Sequence, residues 1–218
     1  MGGLRLRVVV RGISPVIVRT VEVPAGTSLA LLHRVLLVCL GWSGEHLHVF
    51  EVRGRRYADC AFVDARSSRG VWLGSLGLRV GERFCWRYDF CSDWVIDVRV
   101  EAVVDVDAVR VVSGRRAGPP EWVGGPHGFL GWEDSHSLVD VLDVIARTLE
   151  PGPEVDVDVG RLASLRVWLG RDRFDPAEVN VGLSALSERW SKLEVPSCES
   201  LSKSVSTTTT TNPAVSAS

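Results

Sequence analysis

Residues 4–11 and 16–23 are rich in Leu, Val and Ile interspersed with Arg, Thr and Glu, alternating over 4–8 and 20–23, the pattern of strands. Gly12-Ile13-Ser14-Pro15 separates the two runs, and its Gly and Pro favour a reversal, so the chain opens on a predicted hairpin. After Pro24-Ala25-Gly26 the period lengthens. Leu29, Leu32, Val35, Leu36, Cys39 and Leu40 recur at helical spacing, with Thr27 or Ser28 placed to cap the helix and Gly41 to close it. Strand patterns return over residues 47–53 and 55–58 around Gly54, then over 82–90 and 94–104 around a short polar turn. The expected fold class is α+β: a mostly antiparallel sheet with a crossing helix in β-grasp-like order, followed by C-terminal helices.

Between these runs, residues 64–74 are rich in Ser, Arg and Gly and read as a surface loop. Residues 113–133 read as an ordered loop, because Trp122, Phe129 and Trp132 need apolar neighbours. From Ser135 the period is helical again: Leu138, Val141, Leu142, Ile145 and Leu149 share a face until Pro151-Gly152-Pro153 ends it. Leu162, Leu165, Val167, Trp168 and Leu169 predict a second helix, and residues 177–190 a third, entered through Asp175-Pro176. Asp156 and Asp158 alternate with Val155, Val157 and Val159, the pattern of an edge or extended linker rather than a calcium loop. Residues 196–218 hold seven Ser and five Thr with almost nothing apolar, which predicts a disordered tail. The organisation expected is one α+β domain over residues 1–192 and a tail over 193–218.

Composition narrows the class of function. With 45% hydrophobic and 24% charged residues over 218 positions, the chain is able to bury a core. A formal net charge of -2 argues against coating nucleic acid in bulk, and 23 arginines against 2 lysines read as a genome composition effect as long as the arginines are scattered. Five cysteines, at 39, 60, 85, 91 and 198, contain no CxxC pair, so neither a disulfide framework nor a thiol motif is expected. No apolar run is long enough to span a membrane, no signal peptide precedes the first strand, and Leu6 stands where an acylation motif needs Ser or Thr. The expected compartment is the cytoplasm, with no membrane partner.

Candidate chemistry is sparse. His46 and His48 stand one residue apart at a strand start, so both imidazoles can face one side and share a metal, with Asp59 or Cys60 to complete it; the ordinary alternative is a satisfied strand edge. Asp89 and Asp93 bracket Phe90-Cys91-Ser92, where they either work as a carboxylate pair or simply cap a turn. Cys91 has no partner base in the sequence to activate it. Glu121 and His127 flank a glycine-rich loop without a phosphate-cradle motif; they form either a carboxylate–imidazole pair or part of a turn-stapled loop. Arg53, Arg55 and Arg56 at a hairpin tip, with Arg110, Arg115 and Arg116 near Trp122, are candidates for a phosphate-contacting patch.

Several blocks in order carry a resemblance. They are Gly12-Ile13-Ser14-Pro15-Val16-Ile17-Val18-Arg19; Leu32-His33 through Gly41-Trp42 to His46-Leu47-His48-Val49-Phe50; and Tyr57-Ala58-Asp59. Then come Tyr88-Asp89-Phe90-Cys91-Ser92-Asp93-Trp94, Gly114-Arg115-Arg116-Ala117-Gly118-Pro119-Pro120-Glu121, Gly124-Gly125-Pro126-His127-Gly128-Phe129 and Phe174-Asp175-Pro176. Across residues 4–190 the chain resembles the Ri-plasmid ORF-three-like family, which includes passenger TnpR-type proteins of insertion elements. The resemblance implies a compact α+β domain without an assigned reaction. It does not imply a resolvase, since neither a serine-recombinase block nor a helix-turn-helix end is present. Departures from the family pattern stand at Cys91 in place of Gly, at Ile96 where relatives carry a His soon after the Trp, at Val111-Val112, and at Trp122-Val123 in place of Asp-Cys.

The expected candidate cluster is His46, His48, Asp59, Asp89, Asp93, Trp94, Glu121 and His127. The role read from all this is a non-enzymatic accessory or interaction protein of mobile DNA, docking an unknown protein through the aromatic Gly-Pro loop. No cofactor is predicted. Two alternatives stand beside it: a small metal-dependent or hydrolytic enzyme using the His/Asp/Glu cluster, with a divalent metal on His46 and His48, and a nucleic-acid adaptor.

Overall fold

The computed structural model describes residues 2–59, 64–149 and 158–194. β1 (Gly2–Val10) and β2 (Val18–Pro24) form the opening hairpin. Alternation sends Leu4, Leu6, Val8 and Val10 inward together with Val21 and Val23. α1 (Leu29–Leu40) begins where the Ser28 side chain accepts the Leu31 N–H. It stops at Gly41, whose left-handed φ of 73° lets its N–H reach back to the Leu37 and Val38 carbonyls.

The sheet continues with β3 (His48–Val52), β4 (Arg55–Ala58), the two-residue β5 (Arg66–Ser67), β6 (Arg83–Tyr88), β7 (Trp94–Asp105) and β8 (Arg110–Arg115). Its order is β5-β4-β3-β6-β7-β1-β2-β8, antiparallel at every step except β4 beside β5. Four further helices follow: α2 (Gly125–Asp134), α3 (Leu138–Leu149), α4 (Val159–Gly170) and α5 (Pro176–Glu194). Phe129, Trp132, Trp168 and Leu183 from these helices join the same core as α1 and the inward strand residues. The described helices therefore lie on one side of the sheet and leave the other face without a helix.

Several segments depart from the sequence expectation. No element is expected over residues 105–112 and a loop is expected from 113, yet β8 spans 110–115 across that boundary, paired to β2 through a register shift between Thr20 and Val21. On its other edge the Asn180 side chain of α5 takes the place of a strand, donating to the Val111 carbonyl at 2.9 Å and accepting its N–H at 2.8 Å. The segment expected to be a loop over 113–133 contains α2 instead. Its Gly125-Pro126-His127-Gly128 start has low helix propensity, but Pro tolerates the first turn, and burial of Phe129 and Trp132 overrides the local preference. Gly125 has no room for a Cβ because the Ser92 carbonyl fills that space.

Within 64–74, Ser68 and Leu73 are buried and Arg66 and Ser67 form β5, so this loop is partly tied to the body. Asp158 caps α4 by accepting the Arg161 N–H at 3.0 Å. The neighbouring Asp156, and the tail from residue 195, lie outside the described residues.

Candidate functional site

The loop between α1 and β3 is held from several sides. Trp42 stacks on Tyr88 with centroids 5.1 Å apart, and its Nε1 donates to the Pro119 carbonyl at 2.8 Å. That bond draws the 119–125 segment over the loop and brings Glu121 to it. One Glu121 oxygen accepts the Ser43 N–H at 2.8 Å; the other accepts the Ser43 hydroxyl at 3.1 Å and the Tyr88 hydroxyl. Tyr88 in turn accepts the Gly44 N–H at 3.1 Å and the His46 N–H at 3.4 Å. Burial alone would raise the Glu121 carboxyl, but the bonds from Tyr88 and Ser43 outweigh it and hold the group below its ordinary value. Burial, and then the bond to this carboxylate, push the Tyr88 phenol up to about 12.

His46 lies between two other candidates. Its Nδ1 lies 3.8 Å from Asp89 and its Nε2 3.9 Å from Glu121, both longer than a hydrogen bond. Asp89 has a positive φ of 51° and turns back to accept the Cys91 N–H at 3.2 Å, so its carboxylate caps the β6–β7 turn. Burial works to raise its carboxyl; the Ser92 hydroxyl, the Cys91 N–H and His46 together bring it below normal. Asp93 is not paired with Asp89. Its side chain meets Arg87 at 2.6 Å, while its N–H bonds the Asp89 carbonyl at 2.7 Å. The turn geometry separates the two carboxylates that the sequence offered as a pair. Trp94 is fully buried in the core, and His127 is exposed on α2 while Glu121 bonds Ser43 and Tyr88, so the Glu121–His127 pair does not form.

His48 packs against α1. Its ring stacks on His33 of α1 with centroids 3.5 Å apart and planes within 7°. The two imidazoles line a cavity of about 780 Å³ shared with Arg34, His46, Asp59, Arg69 and Trp190. Asp59 is occupied at its rim, accepting from the Ser68 N–H at 3.0 Å and the Ser67 hydroxyl at 3.2 Å, with Arg69 3.5 Å away. Burial lowers His33 to about 2, helped by the neighbouring His48 ring; burial lowers His48 to about 4, with Asp59 opposing and Arg34 assisting. Both rings are thus neutral near pH 7. His33 Nδ1 and His48 Nε2 are buried without a hydrogen-bond partner.

The metal expectation therefore changes shape. His46 and His48 both border this cavity, His48 stacked on His33 and His46 near Asp89 and Glu121, but among the described residues no three His, Cys, Asp or Glu side chains are gathered as ligands. Cys60, offered as a completing ligand, lies outside the described residues. The arginine patch also divides. Arg53 pairs with Glu82 at 2.5 Å, Arg110 reaches Glu22 at 2.6 Å, and Arg116 is buried against Glu133, Asp172 and the Pro15 carbonyl.

Sequence reasoning overlooked His33, Tyr88 and Ser43 as members of this constellation. His33 carried a signal, since it falls on the α1 face that also holds Leu29, Leu36 and Leu40, where a polar side chain needs a partner. Tyr88 and Ser43 carried none, because their bonds cross 33 and 78 positions of sequence to Glu121.

Comparison with known proteins places this chain beside relatives described as uncharacterized or of unknown function. The family model described as plasmid pRiA4b ORF-3-like protein matches residues 3–182. The uncharacterized protein y4hQ of Sinorhizobium fredii is 28% identical over 201 residues, covering 87% of this chain and 94% of its own. The crystal structure of a protein of unknown function, MM3350 from Methanosarcina mazei Go1, superposes with a TM-score of 0.60 at 22% identity, covering 81% of this chain and 96% of its own. At that identity the likeness extends to the fold.

Proposed function

The chain belongs to the plasmid pRiA4b ORF-3-like family, and from that premise we propose that it is a non-catalytic accessory domain of plasmids and insertion elements, of the TnpR passenger kind, that docks a protein partner. The observation that carries this is Trp122, 64% exposed on a loop that is otherwise immobilised. Pro119 is held by Trp42, Glu121 by Ser43 and Tyr88, and Gly125 by its close approach to Ser92. The indole meets the Trp132 ring edge-on, with centroids 6.1 Å apart. A large aromatic side chain presented on a pre-ordered loop is the usual anchor of a binding interface, since little entropy remains to be lost on association.

The enzyme alternative rests on His46 between Asp89 and Glu121. It is weakened because both carboxylates already accept bonds that shape their own loops, leaving little capacity for a substrate proton. The β-grasp-like description of the strand–strand–helix opening belongs to the same proposal.

The test is capture of partners by the full chain and by its Trp122→Ala variant, followed by reconstitution with purified components. The expected result is a defined complex whose dissociation constant rises by about 30-fold or more in the variant, in line with the loss of an aromatic anchor. Turnover of an ester or phosphate substrate that survives Trp122→Ala and vanishes on Glu121→Gln, with the fold retained, overturns it in favour of the enzyme.

A further inference from the structure

The helix-free face of the sheet carries charge in an arrangement that only strand register reveals. Pairing of β1 with β7 sets Arg7 opposite Arg99, and pairing of β7 with β6 sets Arg99 opposite Arg83. Three arginines thus stand side by side on adjacent strands, all exposed, on the face away from α1. Like charges directly opposite one another destabilise a sheet unless something answers them. Arg7 has Glu101 at 3.9 Å, while among the described residues neither Arg83 nor Arg99 has a carboxylate within ion-pair distance.

The neighbouring acids on this face are already engaged. Glu22 is clamped between Arg5 at 2.7 Å and Arg110 at 2.6 Å, and Asp97 is bonded to Arg11 at 2.7 Å. Glu51 lies 3.9 Å from Arg56. The row is a local surplus of positive charge on a chain whose formal net charge is -2.

We propose that this face binds the phosphate backbone of nucleic acid, with Arg7, Arg99 and Arg83 as the contacting row. Guanidinium groups present paired N–H donors that match phosphate oxygens, and they keep their charge at any physiological pH. The strand positions around the row, Thr20, Ser113, Val9 and Cys85, supply no aromatic ring on which a base could stack, so recognition is through the backbone and independent of sequence. The proposal stands apart from the docking role of Trp122, which lies on the loop before α2 and not on this face.

Anisotropy of a fluorescein-labelled oligonucleotide of mixed sequence, single-stranded and as a duplex, tests it on the full chain. Binding is expected near 50 mM salt and should weaken by roughly 40-fold by about 200 mM if three duplex phosphates are neutralised. The combined variant Arg7→Gln, Arg83→Gln, Arg99→Gln should bind at least about tenfold more weakly and lose most of the salt slope. Arg189→Gln, an exposed arginine of α5, should bind as the wild type does. Absence of binding at low salt overturns the proposal, as does binding that the triple variant retains. Capture of polyglutamate without capture of the oligonucleotide also overturns it and assigns the face to an acidic protein.

Discussion

Glu121 and the His33–His48 pair flank the same loop, and burial has been compensated in opposite ways in the two places. The Glu121 carboxylate is charged, partly buried and answered on both oxygens, so it fastens two segments that are 78 positions apart. The imidazoles are neutral, stacked and left with a nitrogen each that nothing answers. A buried polar group that is fully bonded acts as a staple; one that is not becomes a point at which acid attacks the fold.

The largest expected effect follows from the histidines. Their folded pKa values, about 2 and about 4, lie below the ordinary 6.5, so at acid pH the unfolded chain binds protons that the folded chain refuses. Their contribution is intact above pH 6.5 and is lost as pH falls toward those folded values. Each histidine costs up to about 1.4 kcal/mol per pH unit within its window. Denaturant melts from pH 7 to pH 4.5 should show this slope, and a flat profile would break the contrast. His33→Phe keeps a ring in the stack and removes one titrating nitrogen, so it should roughly halve the slope. Glu121 has a depressed pKa, so its contribution is present above the ordinary 4.5 and lost below it; Glu121→Gln should leave the slope above pH 4.5 unchanged.

Breaking the staple should cost less. Glu121→Ala strands the Tyr88 hydroxyl and the Ser43 N–H, and should destabilise the chain by about 2–3 kcal/mol in urea melts. Tyr88→Phe leaves Glu121 its Ser43 bonds but removes the Tyr88 hydroxyl that also accepts the Gly44 and His46 N–H groups, for about 1–2 kcal/mol. Smallest of all, Trp122→Ala should stay within about 0.5 kcal/mol of wild type, because the indole is exposed, while partner binding collapses. A large loss of stability there would make Trp122 a structural residue and remove the basis of the docking role.

Much of the fold is legible because periodicity is a local property. The alternation of β1, β2, β6 and β7 reads directly as strands, and α1 is framed by Ser28 and Gly41 as capping rules predict. The entry of α5 at Pro176 reads the same way. α2 is hidden because its first turn is made of residues that favour loops, and β8 because an Asn180 side chain supplies bonds that pattern analysis credits to a strand. Of the candidate residues, His46, Asp89 and Glu121 do converge, whereas Asp93, Trp94 and His127 are drawn off to an ion pair, the core and the surface.

The sequence by itself determined the strand and helix periods of β1, β2, α1, β6, β7 and the last three helices, where the caps stop α1, and that the chain is an α+β protein with helices at its C-terminal end; whether a helical apolar face is buried it did not determine, since Leu138, Leu142 and Ile145 of α3 are exposed. Only the tertiary structure decided that His48 meets His33, that Glu121 closes the loop on Ser43 and Tyr88, and that Arg7, Arg99 and Arg83 form one row. The reason is physical: helix and strand periods are set by neighbours a few residues away, but register between strands and the filling of a core depend on contacts across the whole chain.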